Sequence, residues 1–348
     1  MTDKAPTTVL DSLNLGLHTA MQEDSRVYLL GEDLLDPYGG SFKVTRGLSS
    51  RFPDRVWTTP ISEAGIVGIA GGMALRGLRP VVEIMFGDFT TLIADQLINH
   101  LTKFNAMYAG QVGVPVVIRT PMGGRRGYGP THSQTLEKLY LGVPGLTVLA
   151  PFHLRGEMPL GTPGTLLHQA ITTTDAPVFF VENKLQYLLP LIQPGEGNEF
   201  EMIEIHPGDE TRTPFYRVRL QSAPPPRITL AAYGYMAHLA MDALKQLAYQ
   251  YEVFAELLVP TQLAPFELDP IYDSVQSTHR LLTVEEGSPA LGWGAEVLAR
   301  TAGTLGAGLH QAARIGAQGV VVPASPQQEA ACLPDVDKIV ARAREMVL

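Results

Sequence analysis

The chain has 348 residues, 45% hydrophobic and only 18% charged, which is apolar enough to build two packed domains and excludes global disorder. Its 26 basic residues against 35 acidic ones leave a formal charge of −9, which excludes a basic nucleic-acid footprint. A single cysteine, Cys332, excludes an internal disulfide, a cysteine zinc cluster and a dithiol redox pair.

In chain order, Met1–Pro6 lacks the basic and apolar segments of a secretory signal, and no uncharged apolar run approaches the roughly 18 residues of a membrane span. The expectation is a soluble cytoplasmic protein, or one of an organelle matrix, with no membrane partner. Val9–Met21 places Val9, Leu10, Leu13, Leu17 and Met21 mostly on one helical face, and Leu92–Tyr108 repeats apolar residues at helical spacing without a proline. Val27–Leu30, Val114–Ile118, Leu146–Ala150 and Val178–Val181 are short continuous apolar runs, the pattern of strands buried on both faces of a parallel sheet. From Ile192 to Pro226 the rhythm breaks into acidic residues, Gly195, Gly197 and a proline triplet, which reads as a linker with one short strand at Phe215–Leu220. Beyond it, strands are expected at Ile228–Tyr233, Val253–Val259, Leu281–Val284 and Val320–Val322. Helices are expected at Ala237–Ala248, Gly292–Thr301 and Val336–Met346. The fold class is α/β with two doubly wound domains, residues 1–191 and 224–348, joined by a linker at 192–223.

Thr59–Pro80 (TPISEAGIVGIAGGMALRGLRP) carries the most information. Pro60 and Ser62 start a helix that contains Gly65, Gly68, Gly71 and Gly72. Each interior glycine costs about 1 kcal/mol relative to alanine, so close approach of another backbone is expected, and the almost uncharged run Ala64–Leu75 suggests burial on several sides. Glu63 stands in the first turn. It is either a carboxylate favoured by the helix dipole or a buried general acid/base that shares its proton with a partner.

This segment, extended to Phe89, resembles the beta subunit of the thiamine diphosphate-dependent 2-oxo acid dehydrogenases of the pyruvate and branched-chain type. The likeness begins at VYLLGEDLLDPYGGSFKVTRGL (Val27–Leu48) and continues through ADQLINHLTKF, VPVVIRTPMGG, THSQTLE and VPGLTVLAP. It returns more loosely with ITLAAYGYMAHLAMDAL and LLTVEEG. The resemblance implies a thiamine diphosphate pyrimidine-binding domain at 1–191 and a transketolase C-terminal-like domain at 224–348. It maps the cofactor-activating carboxylate to Glu63, which exchanges a proton with N1′ of the aminopyrimidine. It places Phe89 against the pyrimidine and Ile61 along the same ring, and gives His132, in GGRRGYGPTHSQ, a role in acyl transfer to lipoyl groups.

The family also grips the diphosphate through magnesium with a GDG motif and a later asparagine. That motif is absent here: Gly87–Asp88 and Gly208–Asp209 lack the second glycine. The resemblance therefore implies a separate alpha subunit carrying the diphosphate and magnesium half-site, an assembly of two alphas and two betas, and a lipoyl-bearing acyltransferase or carrier as acceptor. No metal ligand is assigned to this chain. Pro151–Thr165 and Ile171–Pro177 depart from the family pattern, so no potassium site is assigned either. Arg125–Arg126 is an unusual charged pair that suits an anionic group, with a solvated loop as the alternative. Glu285–Glu286 reads as a solvated acidic turn. Two further readings stay open: half of a split transketolase-like ketol transferase or carboligase using the same Glu63, and a non-catalytic assembly subunit.

Overall fold

The computed structural model describes residues 5–156, 159–195, 198–207 and 213–348. Met1–Lys4, Gly197, the Gly208–Asp209 pair and residues 157–158 within Pro151–Thr165 lie outside them. The chain divides into two compact units, Met1–Met122 with Leu139–Ile192, and Gly123–Lys138 with Gln193–Leu348. Among the described residues no helix is long and apolar enough to cross a membrane.

The first unit opens with helix α1 (Val9–Glu23), whose capping box satisfies two end amides: Asp11 N–H donates to Thr8 Oγ1, and Thr8 N–H donates to Asp11 Oδ2 at 3.1 Å. Its buried stripe of Val9, Leu13, Leu17, Ala20 and Met21 joins the core and packs on α5 (Gly161–Thr172). Ser12 links the pair, accepting from Gly164 N–H at 2.8 Å and donating to the Leu160 carbonyl at 2.5 Å. The strands β1 (Val27–Gly31), β2 (Val56–Thr58), β3 (Arg79–Glu83), β4 (Val117–Met122), β5 (Thr147–Leu149) and β6 (Val178–Asn183) align in the order β5-β6-β4-β3-β1-β2. Every pairing among these strands is parallel. β3 and β4 are buried along their whole length, as strands covered on both faces are, although they carry Arg79, Glu83 and Arg119. β4 starts three residues later than Val114, after Val116 N–H has turned back on the Val114 carbonyl at 2.8 Å. A short helix α2 (Leu48–Arg51) precedes β2. The single helix expected over Leu92–Tyr108 is instead wound in three ways: a 3-10 turn at Gly87–Ile93, a π-helical turn at Gln96–Leu101, and α4 (Thr102–Met107).

Neighbouring strands also bury a charged cluster. Arg119 on β4 lies between Glu182 on β6 and Glu83 on β3. Its Nε donates to Glu182 Oε1 at 2.8 Å, one terminal nitrogen donates to Glu83, and the Tyr187 hydroxyl donates to Glu182 Oε2 at 2.5 Å. Such a cluster survives only when its charges compensate one another.

The second unit holds β7 (Phe200–Ile205), β8 (Phe215–Leu220), β9 (Ile228–Ala232), β10 (Ala255–Pro260), the short β11 (Gln262–Ala264), β12 (Arg280–Val284) and β13 (Gln311–Ile315). Its sheet runs β13-β12-β9-β10-β8-β7, with β7 and β8 antiparallel at one edge and the remaining strands parallel. Its helices are α6 (Gly234–Tyr251), α7 (Asp269–Thr278), α8 (Trp293–Leu305), α9 (Pro326–Cys332) and α10 (Val336–Val347). Two expectations are corrected here. The stretch read as a linker supplies both β7 and β8, paired from Phe200↔Leu220 to Ile205↔Phe215. Two of its acidic residues, Glu201 and Glu204, are the exposed positions of an edge strand. Val320–Val322 is not a strand, and Val321 is 74% exposed; the parallel neighbour of β12 is β13, whose polar outer positions suit an edge and hid it from an apolar count.

Candidate active site

In an open parallel sheet the ligand crevice lies beyond the carboxyl ends of the strands. In the first unit β1, β2 and β3 end in register, Gly31 beside Thr58 and Glu83, and Thr59 N–H closes on the Gly31 carbonyl at 3.0 Å. The residues just past these ends are therefore neighbours: Glu32 after β1, and the start of α3 (Glu63–Leu75) after β2. Glu63 is the first residue of α3 and only 7% exposed. A carboxylate at that position meets the unsatisfied N–H groups of the first turn.

Glu32 is a candidate that local sequence pattern does not single out. It is 8% exposed, and its Oε1 is buried without a hydrogen-bond partner. Burial, then the charge of Glu63, then that of Asp33, push its carboxyl above the usual range. Two withdrawn carboxyls thus share one strand-end crevice. The only available signal was a Glu–Asp pair directly after the first strand of a parallel sheet.

The aromatic side of the site comes from the turn Gly87–Ile93, which packs on α3 and carries Phe89 half-buried. The Phe89 ring meets Phe86 edge-on at 5.7 Å, Phe86 meets Phe42 at 5.7 Å, and the buried Lys184 ammonium lies 5.2 Å from the Phe86 ring. Ile61, two residues before Glu63, is 83% exposed, a large apolar side chain left in water beside a buried acid. The expectation that α3 is covered on several sides is corrected within this chain. Its Glu63, Ile66, Val67, Ala70 face is buried, while Ala64, Gly65, Gly68, Ile69 and Gly72 are exposed. Of its glycines, Gly71 meets a packing demand from the rest of the chain: a Cβ there would come within 2.7 Å of Leu101.

His132 belongs to the other unit, in the segment Gly123–Lys138. It is half-buried, with Nδ1 2.9 Å from the Thr131 hydroxyl. The structure therefore gathers the elements of Glu63, Glu32 and Phe89 in the first unit and sets His132 in the second. Arg125 is turned inward: its guanidinium donates to the Pro334 carbonyl and lies 5.8 Å from the Tyr235 ring, while Arg126 is exposed.

Glu285 and Glu286, expected in solvent, are buried, because the strand β12 that precedes them is central and carries them into the core. Burial, then the nearby Glu137, push the Glu285 carboxyl up to about 7. A folded value above the unfolded one means that the native state holds the extra proton between about 4.5 and about 7. Stability is then lost as pH rises through that window. Glu285→Gln is expected to flatten this slope and to add up to ~3 kcal/mol at pH 8, read from urea unfolding at pH 5 and pH 8; an unchanged slope would refute the assignment.

Two α/β units of this topology, with an acid at the start of a glycine-rich helix, define the transketolase-like class. A family model described as the transketolase pyrimidine binding domain matches residues 6–188, and one for the transketolase C-terminal domain matches residues 218–339. The pyruvate dehydrogenase E1 component subunit beta-1 of Arabidopsis thaliana is 34% identical over 339 residues, covering 97% of this chain and 88% of that protein. The acetoin:2,6-dichlorophenolindophenol oxidoreductase subunit beta of Bacillus subtilis is 35% identical, covering 97% and 96%. A solved split-gene transketolase, an inactive beta4 tetramer, superposes with a TM-score of 0.75 at 19% identity, covering 98% and 99%, and shares the fold. The chain belongs to the beta-subunit family of the thiamine diphosphate-dependent 2-oxo acid dehydrogenases.

Proposed function

We propose that the chain is the beta subunit of an enzyme that decarboxylates a 2-oxo acid and passes the acyl group to a lipoyl carrier. The observation that carries this reading is the buried Glu63 at the head of α3 with a second withdrawn carboxyl, Glu32, beside it. A carboxyl out of water, next to half-buried Phe89 and exposed Ile61, suits an aminopyrimidine: one proton-bearing group facing a ring nitrogen and apolar side chains for the ring faces. When bound, thiamine diphosphate supplies the nucleophilic carbon and the electron sink. The chain's own residues bind and orient the ring, and Glu63 holds or releases the proton at N1′. Burial, and next the charge of Glu63, push the Glu32 carboxyl upward, which ties the two acids together electrostatically. His132 is proposed to assist acyl transfer.

A pyrimidine-binding part followed by a C-terminal part is included in the same reading, supported by family models at residues 6–188 and 218–339. So are an alpha subunit holding the diphosphate and magnesium, an assembly of two alphas and two betas, a lipoyl-bearing acyltransferase, and a cytoplasmic or organelle-matrix location. The sequence carries no GDG motif, which supports an alpha partner for the metal half-site. A ketol-type substrate is the second reading, favoured by the 35% identity to the acetoin-oxidising beta subunit.

The test is purification with the native partner subunit, followed by carbon dioxide release from pyruvate and branched-chain 2-oxo acids and dye reduction with acetoin. Carbon dioxide release supports the first reading; acetoin turnover with no 2-oxo acid consumed assigns the second. The isolated chain is expected to be inactive with thiamine diphosphate and magnesium.

A further inference from the structure

We propose that Glu329 is a positioning residue, a buried carboxylate fork that, with Glu286, sets the backbone of the loop carrying His132; its consequence for turnover rests on the role given to His132 above. The loop Gly123–Lys138 belongs to the second unit and is nearly devoid of regular structure. Its first half cannot hold itself by a backbone ladder: Gly123, Arg125, Gly127 and Gly129 all have positive φ, between +66° and +97°. Its amides turn instead to carboxylates. Gly124 N–H donates to Glu286 Oε1 at 2.7 Å, Arg125 N–H to Glu329 Oε1 at 2.8 Å, and Gly127 N–H to Glu329 Oε2 at 3.0 Å. Glu329 is 2% exposed and spends both oxygens on the loop. The approach is tight: a Cβ on Gly124 would lie 2.6 Å from Leu333 and 3.1 Å from Glu329 Oε1. The Arg125 guanidinium closes the same corner on the Pro334 carbonyl.

The far end of the loop is fastened separately. Tyr233 O–H donates to Glu137 Oε1 at 2.5 Å, and Lys138 Nζ donates to the Ser288 and Ala290 carbonyls at 3.1 and 2.9 Å. His132 stands between the two fastenings. The imidazole position is then set by how firmly each end is held, and the Glu329 end is the one where three backbone amides donate to carboxylates. A carboxylate is needed there because both of its oxygens accept. A glutamine amide accepts on one side and presents N–H to N–H on the other, so Glu329→Gln breaks the fork while keeping its shape.

The experiment uses the complex purified with its native partner subunit. Amide hydrogen exchange of peptides within residues 123–138 is compared in wild type and Glu329→Gln. In parallel, pyruvate-dependent acylation of a lipoylated carrier domain is compared with reduction of 2,6-dichlorophenolindophenol. Exchange at residues 124–127 is expected to speed up by ~10- to 100-fold, the range that one charge-assisted hydrogen bond supplies, with the rest of the second unit unchanged. Acyl transfer is expected to fall by ~10- to 100-fold, as for a displaced catalytic group, while dye reduction keeps its rate within about threefold. Unchanged exchange overturns the fork, and equal losses in the two assays overturn the positioning role. Should Glu329→Gln fail to fold, Glu286→Ala removes the acceptor of Gly124 N–H and the same two readouts decide. His132→Ala with full acyl transfer sinks the reading of His132 instead, and exchange alone then decides the fork.

Discussion

Glu63→Gln in the assembled enzyme is expected to cut turnover by ~10²- to 10⁴-fold, the span that a positioned proton-transfer group contributes. The amide matches the carboxyl in shape and can occupy the head of α3, but it cannot pass a proton to a ring nitrogen. The loss should fall on kcat, with the unfolding midpoint of the complex unchanged or raised, because a buried charge disappears from a site that is only 7% exposed. A second consequence follows for Glu32. The charge of Glu63 is one of the causes that hold its carboxyl high, so in the variant Glu32 should titrate closer to the ordinary glutamate range, which a carboxyl band in infrared spectra followed against pH reports. Steady-state kinetics with whichever substrate the wild type consumes checks the main effect. Full activity in the variant would remove the catalytic role and favour a non-catalytic assembly subunit.

Arg119→Ala is expected to destabilise the protein by ~3–5 kcal/mol, the cost of breaking a buried ion pair from one side. The substitution removes the cation that both Glu83 and Glu182 contact, and all three side chains are at most 5% exposed. Burial and the neighbouring Glu182 already push Glu83 upward while Arg119 pulls it down. Without the guanidinium the two acids must take up protons to stay buried, so the loss should be larger at pH 8 than at pH 5. Replacing Arg119, Glu83 and Glu182 together by Met should cost much less, because no charge is then stranded. Chemical denaturation of the single and triple variants decides this; equal losses in both would show that packing, not charge, holds β3, β4 and β6 at this point.

The contrast between Glu32 and Glu63 shows how far residue order reaches. Glu63 could be singled out as a candidate because it sits at a helix start marked by Pro60 and Ser62, just before a run of glycines, in a segment that resembles the beta-subunit family. Glu32 had no such local mark. It becomes a candidate only when the parallel register places Gly31 beside Thr58 and Glu83. Glu285 and Glu286 failed in the other direction. Adjacent acids before a glycine resemble a wet turn, and only the central position of β12 between β9 and β13 reveals that they are enclosed. Glu329 carried no signal at all: its two loop amides come from more than 200 positions earlier in the chain.

Apolar periodicity and glycine and proline placement were enough for the α/β class and most strands and helices, because each depends on residues a few positions apart, while the ordered motifs from Val27 to Pro151 carried the resemblance to the beta-subunit family. Strand order, the edge hairpin of β7 and β8, the three windings across Gly87–Met107, the pairing of Glu32 with Glu63 and the fastening of the His132 loop were decided by packing. Burial and register join residues distant in the chain, and no local pattern encodes which carboxylate loses its water.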